Sequence, residues 1–224
     1  MNKFLLSLLC TSLLFAHEKP QPIIIDYQPD HKNAIISIAF ENPEKFLAGY
    51  SVVTRSGMPE GAFIAQARLE IAALFDKEEN YTKVLLLNDK VIGFIEFHKA
   101  REICVKDMQE QFALMGLPDF SEEQILQIAP QVKKTLEECA YYIELECLAV
   151  SQEFRHQGYG RMLLEYAIEV AKEMYPEIKE FRLNVNMTNE AAIQLYESEG
   201  FVKSEIQPAP MKALEAIQYE KILN

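Results

Sequence analysis

An Arg-x-x-Gly-x-Gly turn, Arg155-His156-Gln157-Gly158-Tyr159-Gly160, lies between an apolar run ending at Val150 and an apolar-periodic run starting near Arg161. The two glycines tolerate positive φ and leave room for a ligand against the backbone. If the second run is a helix, its first N–H groups have no intrahelical partner and point outward, where the helix dipole favours an anion. These residue types in this order suit a phosphate or pyrophosphate held without a metal. An ordinary strand-to-helix turn has the same pattern. A P-loop does not fit, because no Lys-Ser/Thr follows the glycines, and a dinucleotide fingerprint belongs after the first strand of a fold.

Two further groups could do chemistry. Glu144 and Glu146 lie just upstream and project to one side of a strand by the period-two rule. Either carboxylate could take a proton if an apolar setting raised its pKa toward neutrality; either could also be solvated or ion-paired. The second group is the segment Asn189-Glu190-Ala191-Ala192-Ile193-Gln194-Leu195-Tyr196-Glu197-Ser198-Glu199-Gly200-Phe201. It reads as a short helix opening at a polar cap and stopping at a glycine. Tyr196 shares a face with Ala192 and Leu195, which is also what a core aromatic would do.

The two segments together resemble the GNAT superfamily of N-acetyltransferases. The first is similar to that family's acyl-CoA pyrophosphate loop, Arg/Gln-x-x-Gly-x-Gly/Ala. The second is similar to its Asn-x-x-Ala-x-x-Leu-Tyr-x-x-x-Gly-Phe helix. Their order and spacing match over about residues 141–207, and a weaker pattern extends back to about residue 22 and on to the C-terminus. The resemblance implies an α/β (α+β) fold: a central mixed, mostly antiparallel sheet flanked by helices. It implies acetyl-CoA as acyl-donor cosubstrate, no metal, and transfer of the acetyl group to a primary amine by direct attack in a ternary complex. The amine could belong to a small molecule or to a protein.

Residue by residue, the resemblance implies pyrophosphate contacts from Arg155, His156, Gln157, Gly158, Tyr159, Gly160 and Arg161. The pantetheine arm would lie along Leu148, Ala149 and Val150 like an added strand, in a slot where this strand splays from its neighbour at 178–185. Asn189 matches an asparagine near the cofactor. Glu144, with Glu146 as competitor, would be the base that an ammonium acceptor needs before it can attack. Tyr196 matches the tyrosine that protonates the departing thiolate, and the Leu148 N–H would face the oxyanion. Cys147 needs no nucleophilic role. The competing reading is a non-catalytic acyl-CoA-binding or interaction module on the same fold.

The elements that would position these groups can be traced in order. Residues 23–27 read as a strand and 30–41 as a helix with Ala34, Ile35, Ile38 and Ala39 at helical spacing. Pro59 can start a helix with Phe63, Ala67, Ile71 and Leu74 on one face. Residues 81–87 and 91–98 form strands joined at Asn88-Asp89-Lys90. An insertion at about 100–140 follows. Within it Ser121-Glu122-Glu123-Gln124 is a capping box, Pro130 ends that helix, and Val132, Leu136 and Cys139 or Ala140 suggest another helical stretch. The insertion is either a lid or binding element, or an inert packed one. Strands then follow at 141–150, 178–185, 201–207 and 217–223. The helix 160–174 turns Leu163, Leu164, Ala167, Ile168 and Ala171 inward. Tyr141, Tyr142, Phe112 and Met115 are candidates to line the acceptor side.

The chain has 224 residues and a net charge of −12, which suits one domain and disfavours a nucleic-acid partner. From Arg101 to Glu146 ten acidic residues stand against four basic ones, through solvated helix faces or as an acidic wall for a cationic amine. Monomer and homodimer both remain open. Residues 1–16 carry Lys3 and then a nearly unbroken apolar run from Phe4 to Ala16. This reads as a secretory signal peptide or an apolar N-terminal helix, too short for a stable membrane span. The family suggests the cytoplasm and the N-terminus suggests export. Residues 17–224 form the catalytic domain. Cys104, Cys139 and Cys147 follow no disulfide framework or zinc spacing.

Overall fold

The computed structural model describes residues 20–42, 60–75, 80–114, 116–130, 132–205 and 216–223. The apolar run at 4–16, Pro59 and Met115 therefore lie outside the described residues, as do the side chains of Phe63, Ile71 and Leu74.

Seven strands form one sheet in the order β1-β2-β3-β4-β5-β7-β6. They are β1 (Ile23–Asp26), β2 (Asn80–Leu87), β3 (Lys90–Arg101), β4 (Tyr141–Val150), β5 (Glu180–Asn186), β6 (Val202–Lys203) and β7 (Ala216–Ile222). Every neighbouring pair is antiparallel except β4 with β5. The helices are α1 (Lys32–Ala39), α2 (Glu60–Leu74), α3 (Val105–Leu114), α4 (Glu122–Ile128), α5 (Tyr159–Met174) and α6 (Glu190–Ser198). The mixed sheet and flanking helices are the fold class read from the sequence. Among the described residues no helix is long and apolar enough to cross a membrane.

Each face of the sheet carries its own core. On one, α5 buries Leu163, Leu164, Ala167, Ile168 and Ala171 against Ile95, Phe97, Ile143, Leu145 and Phe181. These five helix positions are the inward face expected from the 3.6-residue period. On the other, Ile35, Ile38 and Ala39 of α1 and Ala67 of α2 pack on Val84, Leu86, Phe94 and Cys147.

Local chemistry explains several boundaries. Asn88 and Asp89 both take positive φ (51° and 60°), as a two-residue hairpin loop requires; Lys90 therefore opens β3 rather than closing the turn. The Ser121 hydroxyl accepts from the Gln124 N–H at 3.3 Å while the Gln124 side chain accepts from the Ser121 N–H at 2.8 Å. This is the expected capping box, and α4 ends at Ile128, just before Pro130.

The helix expected through Val132, Leu136 and Cys139 is not there. Lys133 forms a parallel bridge to Cys104 instead. Its N–H donates to Ile103 C=O and its C=O accepts from Val105 N–H. Pairing with residues 103–105, just beyond β3, holds Lys133 extended, and only a single 3-10 turn, Leu136–Glu138, remains. Val132 packs with Val105, Ile125 and Ala129 in a small separate core of the insertion. The strand expected at 201–207 is described as two residues, Val202–Lys203. Phe201 belongs to the preceding helix end, where its N–H donates to Tyr196 C=O.

Candidate active site

The site forms where β4 and β5 part. They pair at only three rungs, Ile143 with Phe181, Glu144 with Arg182 and Leu145 with Leu183. Beyond Leu183, β5 continues on β7 alone, and residues 147–150 pair only with β3. The β5-facing backbone of Leu148, Ala149 and Val150 is therefore left along a slot. A cleft of about 810 Å³ follows it, lined on one side by Ile38 and Ala39 of α1 and on the other by Leu195 and Tyr196 of α6.

A β-bulge decides what the slot presents. On β3, Glu96 and Phe97 are consecutive, but their partners on β4 are Cys147 and Leu145. Glu146 is the extra residue. A bulge shifts the side-chain alternation of its strand. Before it, Ile143 and Leu145 face the α5 core; after it, Cys147 and Ala149 face the α1 core while Leu148 turns toward α5. Glu144 and Glu146 thus share one face with His98, and ligand atoms of the three lie within 4.8 Å of one another.

Glu144 is one-quarter exposed, with His98 Nε2 at 3.8 Å from Oε2 and Asn184 Nδ2 donating to Oε1 at 3.4 Å. Burial and the charge of Glu146 push its carboxyl up to about 7, against the opposing pull of the Arg182 guanidinium. Glu146 stands more exposed on the same strand. Cys147 is buried, and burial with the nearby charges of Glu96 and Glu146 raises its thiol well above the ordinary range. Such a thiol is a poor nucleophile.

Tyr196 is 6% exposed, and its ring lies 5.9 Å from that of Phe201. Its phenol is pushed above its usual range by burial and then by Cys147. It is both a core aromatic and a wall of the cleft.

The glycine turn leads into α5, and of its two glycines only the first takes positive φ. His156 and Gly158 take positive φ (61° and 86°). Gly158 caps α5, and the first helical N–H to bond back within α5 is that of Met162, to Gly158 C=O at 3.0 Å. The amides of Tyr159, Gly160 and Arg161 come before that bond. Among the described residues no atom lies within 4 Å of where a Gly158 side chain would begin, so the cradle is open at that point. A Gly160 side chain would begin 3.4 Å from Leu195 Cδ2, an ordinary contact, so α5 and α6 meet here without needing a glycine. His156, Gly158, Tyr159, Gly160 and Arg161 all line the cleft.

The two arginines are engaged within the protein. Arg155 Nε donates to Val150 C=O at 2.9 Å, and its Nη2 lies 3.4 Å from Glu41. Arg161 bonds Glu199 at 2.6 Å and the Ser198 hydroxyl at 2.9 Å. Both brace the loop as built. The Gln157 side chain donates to Glu153 C=O at 3.3 Å, and Gln157 is not among the cleft-lining residues. Asn189 starts α6, but its side chain makes no capping bond. Asn186 serves the local turn instead, accepting from the Thr188 N–H and hydroxyl, both at 2.7 Å. The Asn189 side chain is left to the cleft.

The expected acceptor aromatics do not line this cleft. Phe112 packs on Phe120 at 4.9 Å inside the insertion, Tyr142 lies under the Arg182 guanidinium at 4.2 Å, and Tyr141 lies beside Lys99 at 4.6 Å. Four residues that matter here gave no local signal: Glu41, His98, Arg182 and Asn184. They meet the site through strand register or tertiary approach, which no short spacing encodes.

The model of the GNAT family of acetyltransferases matches residues 54–201. The chain belongs to that family. Among solved structures it is similar to the ribosomal-protein-S18-alanine N-acetyltransferase of Escherichia coli, at 17% identity and a TM-score of 0.52, covering 91% of this chain and 95% of that one. It is also similar to the PaiA N-acetyltransferase of Thermoplasma acidophilum in complex with coenzyme A, at 16% identity and a TM-score of 0.55, covering 90% and 99%. A third is Arabidopsis thaliana NAA60 in complex with a bisubstrate analogue, at 12% identity and a TM-score of 0.52, covering 91% and 99%. No curated protein matches the chain by sequence.

Proposed function

We propose that this protein is an acetyl-CoA-dependent N-acetyltransferase that acetylates a primary amine by direct attack. The observation that carries this reading is Glu144, a carboxylate raised to about 7 in the same cleft as the glycine turn. A base with that proton affinity can hold a proton taken from an ammonium at neutral pH and release it to solvent.

Acetyl-CoA, when bound, supplies the activated acetyl thioester. The open cradle at Gly158 and the leading amides of α5 suit its pyrophosphate. The β5-facing backbone of Leu148, Ala149 and Val150 offers strand-like hydrogen bonds to an extended arm. Leu148 N–H is the backbone donor for a developing oxyanion in this reading. Glu144 takes the proton of the acceptor nitrogen. Glu146, two residues on, puts a second carboxyl group beside it on the acceptor side. The Tyr196 hydroxyl is the proton donor on the opposite wall for the departing sulfur. Two of the similar proteins are N-acetyltransferases and one of these is in complex with coenzyme A, which supports this reading.

Thermal unfolding with and without acetyl-CoA tests it first. Ligand at about 100 times its Kd adds roughly 2.7 kcal/mol, or about 5–10 °C for a chain of this size. A shift of this kind, followed by amine-dependent release of CoA across a panel of small amines and peptides, is the expected result. Binding with no turnover on any amine would favour the binding-module reading. A cooperatively folded protein with no shift would remove acetyl-CoA altogether.

A further inference from the structure

Glu144 sits one rung before the sheet divides, and its partner across that rung is Arg182 of β5. Cross-strand partners on one face lie within reach of each other's charge. The Arg182 side chain is only 18% exposed, and a guanidinium so enclosed must be paired. Glu180 takes it at 2.5 and 3.0 Å, Glu102 stands at 3.5 Å, and the Tyr142 ring lies beneath it.

Glu102 belongs to the insertion between β3 and β4. It pairs with Lys133 at 3.4 Å and accepts from the Ala140 N–H at 3.1 Å. Lys133 is fixed in turn by its main-chain bridge to Cys104. A row of alternating charge, Lys133, Glu102, Arg182, therefore runs from the insertion to Glu144. The other groups facing Glu144 are His98 on β3, Glu146 and Tyr142 on β4 and Asn184 on β5. Among these charged groups, Glu146 disfavours the carboxylate form of Glu144 and Arg182 favours it.

We propose that Arg182 is a positioning residue that sets the proton affinity of Glu144, and that the insertion controls its strength through Glu102 and Lys133. This rests on the reading of Glu144 as the proton acceptor. The insertion is then neither an inert loop nor a lid. It is the far end of an electrostatic brace on the reaction centre, and its acidic and basic residues act at a distance from any substrate.

The test uses the sign of each charge. Two quantities are measured for each variant: the acid limb of kcat/KM against pH, and the titration of the Glu144 carboxyl by carbon-13 NMR in ligand-free protein, assigned with Glu144→Gln. Removing a positive charge raises the Glu144 midpoint and removing a negative one lowers it. Arg182→Gln should raise it by about half a unit to one unit. Lys133→Gln should raise it by less, Glu102→Gln should lower it, and Arg182→Lys should restore much of the wild-type value. A loss of packing alone would not make Glu102→Gln and Arg182→Gln move in opposite directions. Shifts of the same sign, or none, in folded variants overturn the proposal. If Arg182→Gln does not fold, Glu102→Gln and Arg182→Lys decide by the same rule. A midpoint that moves in the NMR titration while the acid limb stays put would keep the brace and remove Glu144 as the base. An acid limb that Glu144→Gln abolishes but the other variants leave in place would do the reverse.

Discussion

Arg155 Nη2 lies 3.4 Å from a carboxylate oxygen of Glu41, so the first residue of the glycine turn is tied to the segment just after α1. The same carboxylate accepts from the Ser151 hydroxyl at 2.8 Å and from the Gln152 N–H. One side chain from the N-terminal part of the chain therefore holds the entrance to the glycine turn. Glu41→Ala should weaken acetyl-CoA binding about 5-fold, roughly 1 kcal/mol for partly exposed charge-assisted bonds. Titration calorimetry with CoA checks this. An unchanged Kd would mean the loop holds its shape without Glu41.

Gly158→Val should weaken CoA binding more strongly and cost about 1–3 kcal/mol in stability, because a β-branched residue is forced to a φ of 86°. Gly160→Ala makes a useful contrast. Its side chain would meet Leu195 Cδ2 at 3.4 Å, an ordinary contact, so stability should change little. Binding and denaturation curves on both variants separate backbone conformation from ligand clearance. Normal CoA affinity in a folded Gly158→Val protein would take this loop out of the site.

Tyr196→Phe should lower kcat by 100-fold or thereabouts, the size of a general-acid contribution, while the Kd for acetyl-CoA and the stability stay close to wild type. The ring contact with Phe201 is kept in the variant, so a fall in turnover reports the hydroxyl. Unchanged turnover would leave Tyr196 as packing alone.

The pH dependence follows from the raised carboxyl of Glu144. Activity limited by its ionised form should climb tenfold per unit below about 7 and level off above it. Glu144→Gln should abolish that limb. Stability gives a second readout with its own sign. A carboxylate whose folded pKa lies above its unfolded value penalises the folded state once it ionises, and the penalty grows between about 4.5 and 7. Glu144→Gln should therefore be more stable than wild type at pH 8, by about 2 kcal/mol, and no more stable at pH 4. Urea unfolding at the two pH values tests this without any substrate.

The parts of the fold legible in the sequence are those that depend on neighbours a few residues apart. Asn88-Asp89 fixed a hairpin, Ser121 and Gln124 a helix start, and the Leu163-to-Ala171 spacing a buried face. The glycine turn and the Glu144/Glu146 pair were also local, and the cleft brings them together. What local spacing could not give was register. The stretch 132–140 has helical spacing of apolar residues, yet Lys133 finds backbone partners at Ile103 and Val105, and those bonds outweigh a weak propensity. His98 and Arg182 reach Glu144 only because β3 and β5 align with β4 at that rung.

The bulge at Glu146 gives the site a dependence on residue number as well as residue type. Leu145 faces α5 and Cys147 faces α1 because Glu146 stands between them without a ladder partner. Were Glu146 paired on β3 instead, β4 would run in uninterrupted alternation and the segment beyond it would rotate by half a turn. Leu148 would be turned toward α1, and Cys147 and Ala149 toward α5. The carboxylates upstream and the backbone of Leu148 downstream would then no longer address the same space. Such a one-residue slip is the spatial equivalent of a frameshift, whereas deleting Glu146 would set Leu145 directly before Cys147 and leave the phase of the strand unchanged.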